Sequence, residues 1–173
     1  MIKIYTDGAC SVNPGIGGWG AIVIFESGEE KEIYGSEFDT TNNRMEITAV
    51  IKSLELQELK NKDIKIYSDS TYVINTITKN WKRNANNDLW EHLDKLLEKR
   101  EVQWEWVKGH SGNKYNEIAD KLAVSAINEL KNNNKTELSH LDSDGRIKMV
   151  DVSEKKITSR SAIVSGKVIM KKE

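Results

Sequence analysis

One cysteine (Cys10), one proline (Pro14) and no long apolar run set the first limits on this 173-residue chain. A lone thiol excludes an internal disulfide framework and suits a reducing compartment. Asp7 interrupts the N-terminus before any useful apolar stretch, so no signal peptide is expected. Nothing approaches the roughly 20 apolar residues needed to cross a bilayer. The expectation is a soluble, cytoplasmic protein with no membrane partner. Net charge is also nearly absent, at −1, so composition alone does not mark a nucleic-acid binder. The charge is uneven, however: residues 1–130 carry a net −5 and residues 131–173 a net +4. An acidic body must avoid polyanions or meet them through bound cations.

What is present is one ordinary domain's worth of patterned sequence, with a surplus. Ile2 to Asp7 alternates and reads as a strand ending at Gly8. Ser11 to Gly18, with Pro14 and three glycines, reads as a loop. Trp19–Glu26 and Lys31–Phe38 read as strands joined by a turn at Ser27-Gly28. Apolar residues at helical spacing predict a helix over Asn43–Leu59, with Asn43 and Glu46 resembling a capping pair. A strand at Ile64–Tyr67, helices at about Ser70–Thr78 and Asp88–Lys99, a strand at Val102–Val107 and a helix at Asn113–Leu130 complete the series. Three consecutive strands imply an antiparallel meander, and later β-α alternation adds parallel strands. The fold class is therefore α/β, a five-stranded mixed sheet covered by helices. Residues 131–137 are polar and patternless and read as a linker.

Four acidic residues stand where such a fold can gather them. Asp7 ends the first strand and Asp69 ends the strand after the long helix. If those strands are adjacent and parallel, both side chains emerge at the same C-terminal edge, the usual ligand crevice of such sheets. Glu46 lies in the first turn of the long helix and Asp120 in the last helix. Each also has a plain structural reading: a turn at Asp7-Gly8, helix caps at Asp69-Ser70 and at Glu46, a solvated helix position for Asp120. Together they pose a physical problem, because carboxylates about 4 Å apart repel by roughly 4 kcal/mol at an effective dielectric near 20. Two divalent cations would neutralise four such groups, and hard oxygen ligands select Mg²⁺, with Mn²⁺ as a substitute. Paired ions of this kind drive phosphodiester cleavage, one activating water and the other stabilising the leaving oxygen. His110, in a loop between Gly109 and Gly112, is either an exposed loop residue or a proton carrier near those ions.

Three segments then resemble type 1 ribonuclease H: Tyr5-Thr6-Asp7-Gly8-Ala9-Cys10 with Asn13-Pro14-Gly15, Thr40-Thr41-Asn42-Asn43-Arg44-Met45-Glu46, and Trp106-Val107-Lys108-Gly109-His110-Ser111-Gly112. Ser68-Asp69-Ser70 and Asn116-Glu117-Ile118-Ala119-Asp120 follow in the expected order. The resemblance covers about residues 1–130. It implies a ribonuclease H-like fold and cleavage of the RNA strand of an RNA–DNA hybrid, leaving 3′-hydroxyl and 5′-phosphate ends, by a monomer using two metal ions. It implies Asp7, Glu46, Asp69 and Asp120 as metal ligands, His110 as a proton shuttle and Glu117 as an assisting acid. It also implies that Asn13, Asn42 and Asn43, with Glu46, lie along the RNA and feel its 2′-hydroxyls. Thr41 and Asn80 would grip a DNA-strand phosphate, and Trp81 would pack near a DNA sugar or cap its helix. The chain departs from the family in one respect. Many members carry a basic protrusion here, whereas only Lys82 to Asn87 separate Trp81 from Asp88-Leu89-Trp90. Fewer phosphate contacts imply weaker, less salt-sensitive binding, for which Lys79, Lys82, Arg83 and the basic tail are expected to compensate in part.

The tail, about residues 138–170, resembles the N-terminal segment of cyclic pyranopterin monophosphate synthase (molybdenum cofactor biosynthesis protein C), most specifically at Met149-Val150-Asp151-Val152-Ser153. That family's catalytic residues lie in a portion absent here, so no synthase site is expected in residues 138–173.

Overall fold

The computed structural model describes residues 1–98 and 100–137, with side chains described as far as residue 133. Strand β1 (Ile2–Cys10) sits at the centre of the sheet, between β2 (Gly15–Ile24), which continues outward to β3 (Glu30–Thr40), and β4 (Ile64–Ser68), which continues to β5 (Val102–Trp106). The order is β3-β2-β1-β4-β5. The β1–β2 and β2–β3 pairs are antiparallel, and β1–β4 and β4–β5 are parallel. The mixed five-stranded sheet expected from the element order is therefore the one observed. Four helices accompany it: α1 (Asn42–Leu54), α2 (Thr71–Thr78), α3 (Asn87–Leu97) and α4 (Lys114–Glu137).

Strand alternation sorts the side chains into two layers. Ile2, Ile4, Ala21, Val23, Ile64 and Ile66 face one side and join Ile47, Val50, Ile51 and Leu54 of α1, Val73 of α2, and Trp90 and Leu93 of α3 in the main core. The opposite face presents Tyr5 and Ile22 to Ala119 of α4, with Tyr67, Tyr115 and Ile118 packed around them. Burying fourteen core residues on the first face at roughly 1.5–3 kcal/mol for each large side chain is the main stabilising term. The sheet is thus sandwiched, and elements from either layer can reach its edge.

Several boundaries differ from the pattern-based expectation, each for a local reason. β1 runs to Cys10 and β2 begins at Gly15, because Ala9 and Cys10 pair with Gly18 and Gly17, and Gly15 pairs with Thr40; the expected loop shrinks accordingly. The N-cap of α1 is Thr41, whose hydroxyl accepts from the Arg44 amide at 3.4 Å, rather than Asn43. That register puts Glu46 five positions past the cap, too far for a capping box, and leaves its carboxylate free for other partners. α1 stops at Leu54, and Gln57–Leu59 forms a separate 3-10 turn that still buries Leu59. α4 continues through Glu137, so residues 131–137 are helical rather than a linker. No glycine or proline breaks that stretch, and polarity alone does not end a helix. The tail resemblance falls outside the described residues. No helix among the described residues is long and apolar enough to cross a membrane.

Candidate active site

The parallel pairing of β1 and β4 ends at Thr6 and Ser68. One position further along that register stand Asp7 and Asp69, side by side where the parallel ladder ends; Asp7 does not end its strand as expected, because β1 continues beside β2 to Cys10. The first helix then closes on Asp7 from one layer. At Gly8 a Cβ would overlap the backbone of Met45 and Glu46, so only glycine lets the first turns of α1 approach β1 this closely. Glu46 is brought to the same edge by that contact. From the other layer, α4 lies flat on β2 because Gly20 leaves room for the Ala119 carbonyl and Leu122, and this packing delivers Asp120. A fourth approach comes from the loop after β5: a Cβ on Gly109 would press on the Asp69 carboxylate, 2.5 Å from Oδ2.

The electrostatics show that the four carboxyls share one environment. Burial and then the Asp69 charge push the Asp7 carboxyl up to about 8, with Asp120 and Glu46 adding to the rise and the Gly8 amide opposing it. That amide donates to Asp7 Oδ1 at 2.7 Å. Glu46 is pushed up to about 7, chiefly by burial and then by Asp69, against hydrogen bonds from Ser70 and Asn42. Asn42 Nδ2 donates to Glu46 Oε1 at 2.9 Å, and the Ser70 hydroxyl donates to Oε2. Asn116 Nδ2 donates to Asp69 Oδ2 at 3.0 Å. Among the described residues, no lysine or arginine forms an ion pair with any of the four.

Neutral protein donors therefore hold three of the carboxylates. With those donors engaged, no three Asp, Glu, His or Cys side chains among the described residues stand in ready-made coordination geometry. The donor set nevertheless fits hard divalent cations. It consists of carboxylate oxygens that crowd one another without a neutralising partner, and such a cluster favours a bound cation over mutual repulsion.

The remaining expected residues divide into those the fold gathers and those it does not. His110 Nδ1 lies 3.9 Å from Asp120 Oδ2, on a side chain 83% exposed to solvent, with φ of +49° in its glycine-flanked loop. Glu117 accepts from the Gly112 amide at 3.2 Å, tying its carboxylate to the His110 loop. Asn13 reaches the start of α1, its Oδ1 accepting from the Asn42 amide at 3.3 Å, and Asn43, the next residue, is exposed. Thr41 caps α1. Asn80, with φ of +51°, and Trp81, 49% exposed, follow α2 on a solvent-facing segment.

Of the basic residues expected to replace the missing protrusion, Lys79 and Lys82 are exposed. Arg83 is not available: it pairs with Asp94 through two contacts of 2.5 and 3.0 Å and covers the Trp90 ring at 4.8 Å. The expectation for Arg83 is corrected, because its charge is already matched and its guanidinium stacked.

Three contributors were not singled out from sequence. Ser70 read only as a helix cap, and it does cap α2, accepting from the Val73 amide at 3.1 Å, while its hydroxyl also holds Glu46. Asn116 is 2% exposed; its place four residues before Asp120, one helical turn, was the available signal. Trp106 donates its indole N–H to the Asp69 carbonyl at 3.1 Å, a contact between β5 and the end of β4 that no local pattern announces.

Comparison with known proteins bears on the family and the fold. The family model described as RNase H matches residues 1–128. A ribonuclease H of Francisella tularensis subsp. novicida is 58% identical over 140 residues, covering 73% of this chain and 90% of that protein. Among solved structures, LC9-RNase H1, a type 1 RNase H with the type 2 active-site motif, is 28% identical with a TM-score of 0.66, covering 74% of this chain and 72% of that one. LC11-RNase H1, solved in complex with an RNA/DNA hybrid, has a TM-score of 0.66 at 23% identity, covering 76% of this chain and 99% of that one. With nearly all of its patterned sequence matched and the sheet order in agreement, the chain belongs to the ribonuclease H family.

Proposed function

We propose that this protein hydrolyses the RNA strand of RNA–DNA hybrids, leaving 3′-hydroxyl and 5′-phosphate ends, with Asp7, Glu46, Asp69 and Asp120 holding two divalent cations. The observation that carries the reading is the convergence of four carboxyls from distant stretches on one site, where burial and then the neighbouring carboxylates push Asp7 up to about 8 and no lysine or arginine among the described residues pairs with it. Membership of the ribonuclease H family and the hybrid complex of LC11-RNase H1 support the substrate. The oxygen donors suit Mg²⁺, with Mn²⁺ as a substitute.

Cations bound there would supply Lewis-acid activation of a water and charge stabilisation for the departing oxygen. The protein's own groups do the rest. Ser70 and Asn42 orient Glu46, and Asn116 and the Trp106 indole orient Asp69 and its backbone. His110, on an exposed loop beside Asp120, is placed to carry a proton between site and solvent. Glu117 assists by holding the backbone of that loop. Asn13, Asn42 and Asn43 line the approach on the α1 side, where RNA 2′-hydroxyls would be read. Thr41, Asn80 and Trp81 contact the DNA strand.

The test compares cleavage of a labelled RNA–DNA hybrid and of duplex DNA, with Mg²⁺ or with EDTA. Cleavage confined to the RNA strand and abolished by EDTA is expected. Asp69→Asn should reduce turnover to background with an unchanged circular dichroism spectrum. Near-full activity in that variant would overturn the assignment.

A further inference from the structure

Below the carboxylates, on the α4 side of the sheet, lies an aromatic cluster that the proposed chemistry does not use. Tyr5 and Tyr67 are direct cross-strand partners, two residues before Asp7 and Asp69 respectively. Side chains two apart on a strand share a face, so the ring pair forms a floor under the carboxyl pair. The two rings stack with centroids 4.5 Å apart and planes 8° from parallel. Tyr115, in the first turn of α4, leans on Tyr5 at 5.3 Å.

The outer ring is held from several sides. Its hydroxyl donates to Glu30 Oε1 at 2.7 Å, and Lys114 Nζ lies 4.6 Å from its centroid. Beneath, Lys65 sits 5.2 Å from the Tyr67 ring while pairing with Glu105 at 2.6 Å. These contacts make the cluster a rigid spacer between β1, β4 and the start of α4.

We propose that Tyr5, Tyr67 and Tyr115 position the metal-binding carboxylates, by setting how the first turn of α4 seats and hence where Asn116 grips Asp69. Asn116 directly follows Tyr115 and is buried, and its side-chain carbonyl has no hydrogen-bond partner among the described residues. Among the described residues its one side-chain bond runs to Asp69. No network of its own fixes the amide, so the seating of the helix turn decides where Nδ2 points. Thinning the spacer would let that turn settle and release Asp69, and Asp120 one turn further on would shift with it. Groups that orient metal ligands typically change metal affinity about 10- to 100-fold when removed.

The inference rests on the carboxylates binding divalent cations, and the experiment separates the two. Mn²⁺ is titrated calorimetrically into substrate-free full-length wild type, Tyr67→Ala, Tyr67→Phe and Tyr115→Leu, each checked for cooperative thermal unfolding. Tyr115→Leu, at the half-exposed rim, is read in parallel so that the result does not hang on one variant's folding. Truncation is expected to weaken Mn²⁺ binding about tenfold, with kcat returning toward wild type as the ion concentration is raised. Tyr67→Phe, which keeps the ring, should bind within about twofold of wild type. Folded Tyr67→Ala or Tyr115→Leu binding as tightly as wild type overturns the inference alone, as does Tyr67→Phe weakened as much as Tyr67→Ala. A wild type that binds no divalent ion overturns the functional reading, and this inference with it.

Discussion

Replacing Asp7 by Asn is expected to stabilise the divalent-free protein while abolishing turnover. Unfolded, the Asp7 carboxyl loses its proton near 3.8, whereas in the folded protein it holds the proton to about 8. Between those values the unfolded state binds fewer protons, so stability falls as pH rises. The penalty is absent below about pH 4 and complete above about pH 8, and Glu46, raised from 4.5 to about 7, adds to it in the same direction.

Burial of the Asp7 carboxyl is the larger cause of the effect and the Asp69 charge the next, and the register sets the scale of the second. Asp7 and Asp69 lie one position beyond the Thr6–Ser68 pair, on strands separated by about 4.8 Å. Unit charges at that spacing repel by roughly 3 kcal/mol at an effective dielectric near 20. Partial exposure to solvent brings the expected gain for Asp7→Asn at pH 8 to about 1–3 kcal/mol. For a domain of this size that is about 3–8 °C in Tm. The assay is thermal unfolding of wild type and variant in EDTA from pH 4 to 8.5. The gain should vanish at pH 4, and added Mg²⁺ should raise the wild type above the variant by binding only where the carboxylates are complete. A variant no more stable than wild type at pH 8, or equally stabilised at pH 4, would refute the reasoning.

Other substitutions probe the same architecture. Ser70→Ala removes both the α2 cap and a donor to Glu46, so it should cost about 1 kcal/mol in denaturant unfolding and lower turnover at limiting Mg²⁺. Gly20→Val would drive a side chain into α4 and should destabilise by about 1–3 kcal/mol or more, with hybrid cleavage lost in parallel as Asp120 is displaced. In hybrid-binding titrations across salt concentrations, Lys82→Ala should lower the slope of log affinity on log salt by about 0.9 if that lysine meets one phosphate. Arg83→Ala should leave the slope unchanged and cost stability instead, because its charge is matched by Asp94.

Local pattern carried a large part of this structure. Alternation in Ile2 to Thr6 and Ile64 to Ser68 marks strands whichever partners they find, because a half-buried strand must present apolar groups at period two. Helical spacing in α1, α2 and α3 similarly needs no tertiary information. The acidic residues were legible as candidates from their places at strand ends and on helix turns, and the resemblance of the neighbouring motifs to a known family then gave them roles, though each residue alone was open to a plain structural reading.

What sequence could not decide was mutual placement. Nothing near Gly8 or Gly20 says that a helix backbone will lie against either, yet those two close approaches bring Glu46 and Asp120 from opposite layers to the edge where Asp7 and Asp69 emerge. Thr41 and Asn43 are both competent caps, and the packing of α1 selected Thr41, releasing Glu46 for Ser70 and Asn42. Arg83 looked like a phosphate ligand until Asp94, eleven residues on, came within 2.5 Å of it. Propensity and periodicity act over one turn or one strand, whereas electrostatic crowding, burial and pairing depend on which distant segments meet. The sequence by itself therefore determined the elements and the chemical character of the candidate groups, and only the tertiary structure decided which of them share a site.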